Sequence, residues 1–241
     1  MDDRVLIVTC EHGGHEVPHA FAPLFNEQRS LLNSHRGWDP GALDLALHLA
    51  KALGAPCFAS TTTRLLVDLN RSVGHRALFS EVTRPLARAV RQEILALHYR
   101  PYRDVVEREV AMHIAAGRSV LHVASHSFTP VLDETMRRAD VACLYDPRRP
   151  AESALAGRWL TALALRAPSL RLRRNYPYRG HSDGLAALLR KRFPEAAYAG
   201  IELEVNQAFV AQGGAPWVRL RSDLIDALAE ARAATRGHAL P

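Results

Sequence analysis

Four short apolar runs along the chain each lead into a cluster of polar residues. The runs are residues 5–8, 65–67, 120–123 and 199–201. Short apolar runs that end in polar residues are typical of buried parallel strands, and open α/β sheets hold their ligands at the carboxyl ends of such strands. The pattern therefore predicts an α/β fold in which one crevice collects all four clusters.

The segments between these runs alternate between strand-like and helix-like patterns. Residues 40–53 are rich in alanine and leucine, Asp39 and Pro40 precede them as an N-cap and a first-turn proline, and Gly54 follows, so a helix is predicted there. Further strands are predicted at 55–60, 64–69, 120–124, 140–144 and 198–205, with a short run at 169–173. Further helices are predicted at 81–116 with a break at Pro101, at 151–166, at 182–192 and at 220–236.

Composition supports one globular domain. The chain has 241 residues, of which 48% are hydrophobic and 23% charged, so a single domain over 1–241 can bury a full core. The net charge is +6, but only Lys51 and Lys191 are lysines and the arginines are interspersed with acids. We therefore expect no nucleic-acid partner.

Cysteine usage and hydropathy indicate the compartment. The 3 cysteines are widely spaced and form no CxxC pair, which argues against a disulfide framework and against a thiolate zinc site. No apolar run reaches about 18 residues and no secretion signal is evident, so we expect a cytoplasmic protein without a membrane segment. The pattern carries no signal for the oligomeric state.

Two histidines in the polar clusters are candidate metal ligands. A hydrolytic zinc ion commonly takes two histidines, one carboxylate and a water molecule. His12 stands beside two glycines and His126 between two serines, each just after a predicted strand. His122, inside the strand that precedes His126, is interpreted as a core residue.

The third metal ligand is open at this point. Glu11, Glu16 and Asp39 are the nearby carboxylates, and His15 is a rival because its spacing from His12 resembles that of a local metal pair. A glycine-rich loop does not fix side-chain direction as a helix would, which weakens the case for His15.

Two glutamates are candidates for the catalytic base. Glu202 and Glu204 follow an apolar run and, with a spacing of two, share one face of a strand. Burying both is costly, so a functional pocket at the strand end is one interpretation, and a solvent-facing edge strand is the other.

Arginines supply the substrate side of the candidate site. The planar fork of Arg71 suits a carboxylate, and Asn70 adds a neutral donor and acceptor. Further candidates for binding an anionic substrate are Arg64, Arg100 and Arg179.

Two other functional classes compete with a metal hydrolase. A serine hydrolase could use Ser125 or Ser127 with His126, but these residues are neighbours on one strand and no G-x-S-x-G elbow is present. A non-catalytic anion-binding protein of the same fold is the second alternative.

Seven of these pieces, in order, resemble the N-formylglutamate amidohydrolase family over residues 5 to about 210. Each piece is weak by itself, but the ordered set is specific. The pieces are Glu11–Gly14 with Pro18, Asp39, Arg64 with 67–71, 99–102, 125–127, 175–180, and 204–206.

The resemblance implies a three-layer α/β/α sandwich around a mixed, mostly parallel sheet, a hydrolase-like fold similar to that of zinc carboxypeptidases and the aspartoacylase group. It also implies metal-dependent hydrolysis of an N-acyl amino acid, with formate leaving from N-formyl-L-glutamate in histidine degradation. In this reading His12 and His126 hold Zn²⁺ or another divalent metal, with Asp39 favoured as third ligand.

The same resemblance assigns Glu204 as the base and gives Asn70 and Arg71 the substrate carboxylate. The chain departs from the family pattern at Cys10-Glu11-His12, where the histidine-degrading members carry a Pro-His-Ser-Gly form. This departure suggests a branch with a different N-acyl substrate.

Overall fold

A six-stranded sheet forms the centre of the computed structural model, which describes residues 2–234. The sheet has the order β2-β1-β3-β8-β6-β7, and only the β8–β6 pair is antiparallel. The mixed, mostly parallel sheet is therefore confirmed. The strands are β1 Val5–Cys10, β2 Cys57–Ala59, β3 Val120–Phe128, β6 Val141–Leu144, β7 Leu172–Arg174 and β8 Tyr198–Asn206, with a separate hairpin of β4 Val131–Leu132 and β5 Thr135–Met136.

Helices cover both faces of the sheet, which confirms the three-layer sandwich. Helices α2, α5 and α8 pack on one face, and α4 and α6 pack on the other. None of the helices within residues 2–234 is long and apolar enough to cross a lipid bilayer. The helices are α1 Arg29–Leu32, α2 Ala42–Leu53, α3 Arg88–Ile94, α4 Arg100–Ala115, α5 Pro150–Arg166, α6 Leu185–Arg192, α7 Gln207–Gln212 and α8 Gly214–Ala233, with a 3₁₀ segment at His19–Phe25 and a π-helical turn at Leu95–Tyr99.

Strand β8 lies in the middle of the sheet, between β3 and β6, and all nine of its residues are buried. Ile201, Leu203 and Val205 pack into the core under α2, α5 and α8. Because side chains alternate across a strand, Glu202 and Glu204 face the opposite side. The interpretation of this segment as a solvent-facing edge strand is therefore wrong, and two buried acids remain to be explained.

The predicted strand at 64–69 is absent, since these residues form turns. Leu65 and Leu66 are buried in a side core, and the hydroxyl groups of Ser80 and Thr83 donate hydrogen bonds to their carbonyl groups. Side-chain hydroxyls thus take the place of a strand partner. An apolar run alone does not distinguish these two ways of satisfying a buried backbone.

The helix predicted at 81–116 differs in both its start and its break. Residues 81–87 form turns, and the helical segment begins at Arg88. It does not break at Pro101, because the π-helical turn precedes it and the Arg100 N–H bonds to the Leu95 carbonyl group. Pro101 then lies in the first turn of α4, where its missing N–H needs no partner.

Two helix starts also differ from the predictions. Helix α2 ends at Gly54 as predicted, but its N-cap is Gly41, which has a φ of +80°, and not Asp39. The Asp39 side chain is turned toward two histidines instead. Helix α8 begins at Gly214, earlier than residue 220, and the predicted residues 235 and 236 lie outside the described residues.

Buried His122 links three strands and makes stability depend on pH. Its Nε2 and Nδ1 lie 2.7 Å from the Thr9 hydroxyl and the Tyr198 hydroxyl respectively, and burial lowers its pKa to about 4. The unfolded chain binds a proton near pH 6.5, so this stabilisation is present above about pH 6.5 and is lost as the pH falls toward 4.

Wild-type protein is expected to lose about 3 kcal/mol more than His122→Gln across this pH window, since glutamine does not titrate. Urea unfolding at several pH values measures the difference. Identical pH slopes in the two proteins would show that His122 contributes nothing to acid sensitivity.

Candidate metal centre and active-site cleft

Three buried side chains converge at one point of the sheet. The Oδ2 atom of Asp39 lies 2.9 Å from Nδ1 of His126 and 3.3 Å from Nδ1 of His12. One ligand atom from each residue lies within 4.8 Å of the other two. Two imidazole nitrogens and a carboxylate oxygen are a donor set that suits Zn²⁺ and other divalent metals. His12, Asp39 and His126 could therefore hold a metal ion.

A second carboxylate lies behind each histidine. Asp68 Oδ1 is 2.7 Å from Nε2 of His12, and Glu11 Oε2 is 3.2 Å from Nε2 of His126. A metal-binding histidine usually has such a partner on its other nitrogen, which sets the ring orientation and raises its basicity. Glu11, an open candidate for the third ligand, thus lies on the far side of His126 from Asp39.

Histidine and carboxylate side chains stabilise each other's charged forms in this buried cluster. Burial opposes ionisation of Asp39 and of Glu11, but their histidine partners outweigh it, so the pKa of Asp39 is well below its usual range and that of Glu11 is about 2. Burial likewise opposes the charged form of His126, but hydrogen bonds to Asp39 and Glu11 raise its pKa well above the usual value. Both acids are thus ionised, as metal and outer-sphere carboxylates must be.

The structure does not bring the two other candidates for the third ligand to this point. Glu16 is exposed and accepts a hydrogen bond from the Thr61 hydroxyl. His15 packs edge-on against the ring of Trp38, with 4.9 Å between centroids.

The glycines beside His12 permit a close backbone contact. A Cβ atom at Gly14 would lie 2.6 Å from the Thr61 carbonyl oxygen, and one at Gly13 would lie 3.0 Å from that of Ser60. The Gly13 N–H bonds to the Ser60 carbonyl group across this gap. The loop that carries His12 is therefore held tightly against the segment that follows β2.

Glu204 faces the metal cluster from the neighbouring strand. It is paired with His126 in the β3–β8 register, and it lines a cleft of about 250 Å³ together with His12, Asp39 and His126. Its Oε2 atom is buried without a hydrogen-bond partner, and burial raises its pKa to about 8. A buried carboxyl with a raised pKa and an unused oxygen is suited to proton transfer.

Glu202 lies one pleat away from Glu204 and also lines the cleft. Burial raises the pKa of Glu202 too. A Cβ at Gly184 would lie in ordinary contact with Glu202 Oε1, at 3.5 Å, but only 2.8 Å from Asn70 Oδ1, so a larger residue here would displace the Asn70 side chain.

The substrate-side candidates divide into those inside and outside the cleft. Asn70, Arg71, Arg64 and Arg179 line it. Arg100 lies exposed on α4 and is not among the lining residues, because the helix continues through this position and turns its side chain to the surface. The structure therefore does not bring Arg100 to the cleft.

Arg64 and Arg71 differ in whether the guanidinium group is already paired with carboxylates. Arg64 pairs with Asp68 at 2.7 Å and with Asp39 at 3.3 Å, so its charge is already matched by metal-site carboxylates. Arg71 donates from Nη1 to the Asp183 carbonyl group at 2.6 Å, and its buried Nε has no hydrogen-bond partner. Arg71 thus keeps capacity for an anionic ligand.

Asn70 is oriented by the backbone of α6. Its Oδ1 accepts a hydrogen bond of 2.7 Å from the Leu185 N–H, and its Nδ2 lies 3.4 Å from Nε2 of His126. With the oxygen occupied in this way, the amide nitrogen is the group that faces the cleft.

The serine hydrolase alternative has no support in the hydrogen bonding. The hydroxyl of Ser125 donates to the Ala42 carbonyl group and that of Ser127 to the Pro40 carbonyl group, at 2.9 and 2.7 Å. Both ring nitrogens of His126 face carboxylates instead. These serines hold the start of α2 and do not form a nucleophile–base pair.

Sequence reasoning did not mark Arg137 as a cleft residue and assigned no metal-site role to Asp68. Arg137 follows the β4–β5 hairpin in a polar stretch with no apolar periodicity, so no pattern marks it. Asp68 precedes Asn70 and Arg71 and entered the sequence analysis only as part of the segment 67–71. The acid in an Asp-x-Asn-Arg sequence could have indicated a carboxylate behind a histidine ligand.

Comparisons with known proteins agree with this geometry. The family model described as N-formylglutamate amidohydrolase matches residues 4–211. No curated protein matches the chain. A solved structure of a gene product from Agrobacterium tumefaciens is similar, with 27% identity, coverage of 96% of this chain and 92% of that chain, and a TM-score of 0.82.

A second solved structure is N-formylglutamate amidohydrolase from Ralstonia eutropha JMP134, which has a TM-score of 0.67 and 18% identity and covers 99% of this chain and 96% of that chain. At this identity it shows the shared fold. The family assignment comes from the family model, which spans most of the sequence. The chain belongs to the N-formylglutamate amidohydrolase family.

Proposed function

We propose that the protein is a metal-dependent hydrolase of an N-acyl amino acid, with N-formyl-L-glutamate as its first candidate substrate and formate and L-glutamate as products. One observation carries the proposal. The convergent His12, Asp39 and His126 and the unpartnered Glu204 Oε2 line the same cleft. Ligands without a base would indicate a structural metal, and a base without ligands would leave the amide unactivated.

His12, Asp39 and His126 would hold Zn²⁺ or another divalent ion, which when bound supplies Lewis-acid chemistry to the acyl carbonyl group and to water. Asp68 and Glu11 keep the two imidazole rings turned toward Asp39. The rings therefore need little reorientation to bind the ion, which favours affinity.

Glu204 would carry the proton. Its Oε2 atom accepts a proton from the attacking water and returns it to the leaving nitrogen, since an amine leaves more easily when it is protonated. Glu204 is shielded from bulk solvent because β8 is buried along its whole length. A carboxylate in such surroundings is a stronger base than one in water.

Arg71 and Asn70 would bind the carboxylate of the amino acid. Arg71 has a free buried Nε, and the Asn70 amide nitrogen faces the cleft. Together they orient the scissile amide relative to Glu204, and such positioning contributes to the rate. Arg179 is a further binding candidate at the exposed rim, whereas Arg64 holds Asp39 and Asp68 in place.

The first experiment measures formate and glutamate release from N-formyl-L-glutamate by purified protein that is loaded with zinc and then stripped by a chelator. We expect turnover that is lost on stripping and restored by metal. If only other N-acyl amino acids are turned over, and in a metal-dependent way, the reaction class is supported. The protein then belongs to a related branch of the family with a different substrate. Binding without hydrolysis by metal-loaded protein would instead indicate a non-catalytic anion-binding protein.

Glu11→Gln is expected to lower the affinity for zinc about 10- to 100-fold, because it removes the carboxylate behind His126. Competition with a chromophoric chelator measures the affinity. Glu16→Gln is the matched control, since Glu16 is exposed on the same loop and should leave the affinity unchanged. A larger effect of Glu16→Gln would transfer the metal-site role to that residue.

If N-formyl-L-glutamate is the substrate, the reaction belongs to histidine degradation. We further propose that residues 1–241 act as one amidohydrolase domain in the cytoplasm, with a small-molecule N-acyl amino acid as the partner.

A further inference from the structure

Arg137 is a buried cation without a counter-ion. Its residue is only 8% exposed, and its Nη1 atom is buried without a hydrogen-bond partner. Within residues 2–234 no carboxylate forms an ion pair with it. A buried, unpaired charge is costly, so a protein keeps one where a ligand supplies the missing partner.

Two aromatic rings hold the Arg137 guanidinium group. Its Cζ atom lies 5.2 Å from the ring centroid of Tyr178 and 6.0 Å from that of Phe128. The backbone N–H of Arg137 bonds to the Pro130 carbonyl group and closes the hairpin below it. Contacts with ring faces leave the edge of a guanidinium group free to donate hydrogen bonds.

Arg137 lines the same cleft as the metal ligands and Glu204, but it reaches the cleft from a different element than Arg71. Arg71 follows the turn segment at 65–70, whereas Arg137 follows the β4–β5 hairpin. The cleft thus contains two arginines with an unpartnered buried nitrogen, Arg71 Nε and Arg137 Nη1. A ligand that satisfies both carries two anionic groups.

We propose that Arg137, framed by Phe128 and Tyr178, forms a second anion subsite that binds a carboxylate remote from the scissile amide and selects acidic over neutral amino-acid side chains. This inference rests on the proposed function. Arg71 and Asn70 take one carboxylate and Arg137 takes the other. The bidentate fork of arginine matches a carboxylate and leaves a neutral amide with one mismatched donor.

The test compares N-formyl-L-glutamate with N-formyl-L-glutamine, which has the same shape without the charge, in zinc-loaded wild-type protein and in Arg137→Gln. Wild-type protein is expected to prefer the acidic substrate. The substitution should lower kcat/KM for the glutamate compound about 100-fold more than for the glutamine compound, mainly through KM. Equal losses on both substrates, or no loss, would overturn the subsite.

Arg138→Gln is the matched control, because Arg138 is the exposed neighbour and the substitution removes the same charge. It should leave the ratio of the two kcat/KM values unchanged. A ratio that shifts equally in both variants would assign the preference to the general positive field and would contradict the subsite. If Arg137→Gln does not fold, Arg137→Lys provides the same comparison with the charge kept and the fork removed.

A binding measurement separates failure of this subsite from failure of the proposed function. Calorimetric titration of zinc-loaded protein with glutarate and with butyrate needs no turnover. Glutarate is expected to bind more tightly than butyrate in wild-type protein and in Arg138→Gln, and to lose that advantage in Arg137→Gln. An advantage that persists without Arg137 would refute the subsite even if hydrolysis is observed, and its loss would support the subsite even if no acyl amino acid is hydrolysed.

Discussion

Replacing Glu204 by glutamine is expected to lower kcat about 10³-fold and to leave the bound metal in place. Glutamine has the same shape but cannot accept the proton of the attacking water at Oε2. Because Glu204 is not one of the three convergent ligands, the metal content should not change. Elemental analysis of dialysed protein gives the metal content, and formate release gives the rate.

Glu202→Gln is the matched control for this prediction. Glu202 lies on the same strand and the same face, is buried to a similar degree and lines the same cleft, but it is not paired in register with His126. We expect a smaller loss of kcat than in Glu204→Gln. A larger loss in Glu202→Gln would assign the base to that residue, and full activity in Glu204→Gln would contradict the mechanism.

Replacing Glu152 by glutamine is expected to destabilise the fold by about 3–5 kcal/mol, because Arg190 would remain as a buried charge without a partner. The Glu152 side chain is fully buried, and Arg190 Nε lies 2.9 Å from its Oε1. Glu152 also accepts hydrogen bonds from the Asp146 and Gly200 N–H groups. Urea unfolding of the wild-type and variant proteins measures the difference.

The pair of Glu152 and Arg190 also supports the cleft. Arg190 donates hydrogen bonds to the carbonyl groups of Gly180 and Gly200, which belong to the loop before α6 and to β8. A Cβ atom on Gly180 would overlap the Tyr145 backbone, so this loop is tightly packed against the end of β6. Loss of the pair should therefore loosen the loop that carries Tyr178 and Arg179.

The control for this prediction is Glu81→Gln. Glu81 pairs with Arg36 at 2.6 Å, a shorter distance than in the buried pair, but both side chains are 51% exposed. We expect a change of about 0.5 kcal/mol or less, because water screens an exposed pair. Similar losses for Glu81→Gln and Glu152→Gln would show that burial does not determine the strength of these pairs.

Local pattern predicted the sheet strands well where apolar runs are long and central. Strands β1, β6 and β8 lie where the pattern places them, because a strand buried on both faces needs an unbroken apolar or alternating run. Strand β3 starts as predicted but continues past residue 124 to Phe128, so that His126 lies within it and not after it. The local pattern failed at 64–69, where hydroxyl groups of Ser80 and Thr83 satisfy the backbone. Those partners are more than ten residues away, and no local pattern includes them.

The sequence predicted the residue types of the site more fully than the contacts between those residues. His12, Asp39, His126 and Glu204 were identified from their flanking residues and from the family resemblance, and the structure places all four around one cleft. Arg100 was a further candidate for binding an anionic substrate, beside a helix break predicted at Pro101. The helix instead continues through the proline by way of the π-helical turn, and the Arg100 side chain stays on the surface.

By itself the sequence determined the class of fold, the central strands and the kinds of side chain available for chemistry, because hydrophobic periodicity and residue type are local properties. Only the tertiary structure decided which carboxylate joins the two histidines, which acids stand behind them and which arginines keep an unpartnered nitrogen. Asp39 and Glu11 both offer a carboxylate, so residue type does not separate them. The packing of distant segments places Asp39 between the two histidines and Glu11 behind His126.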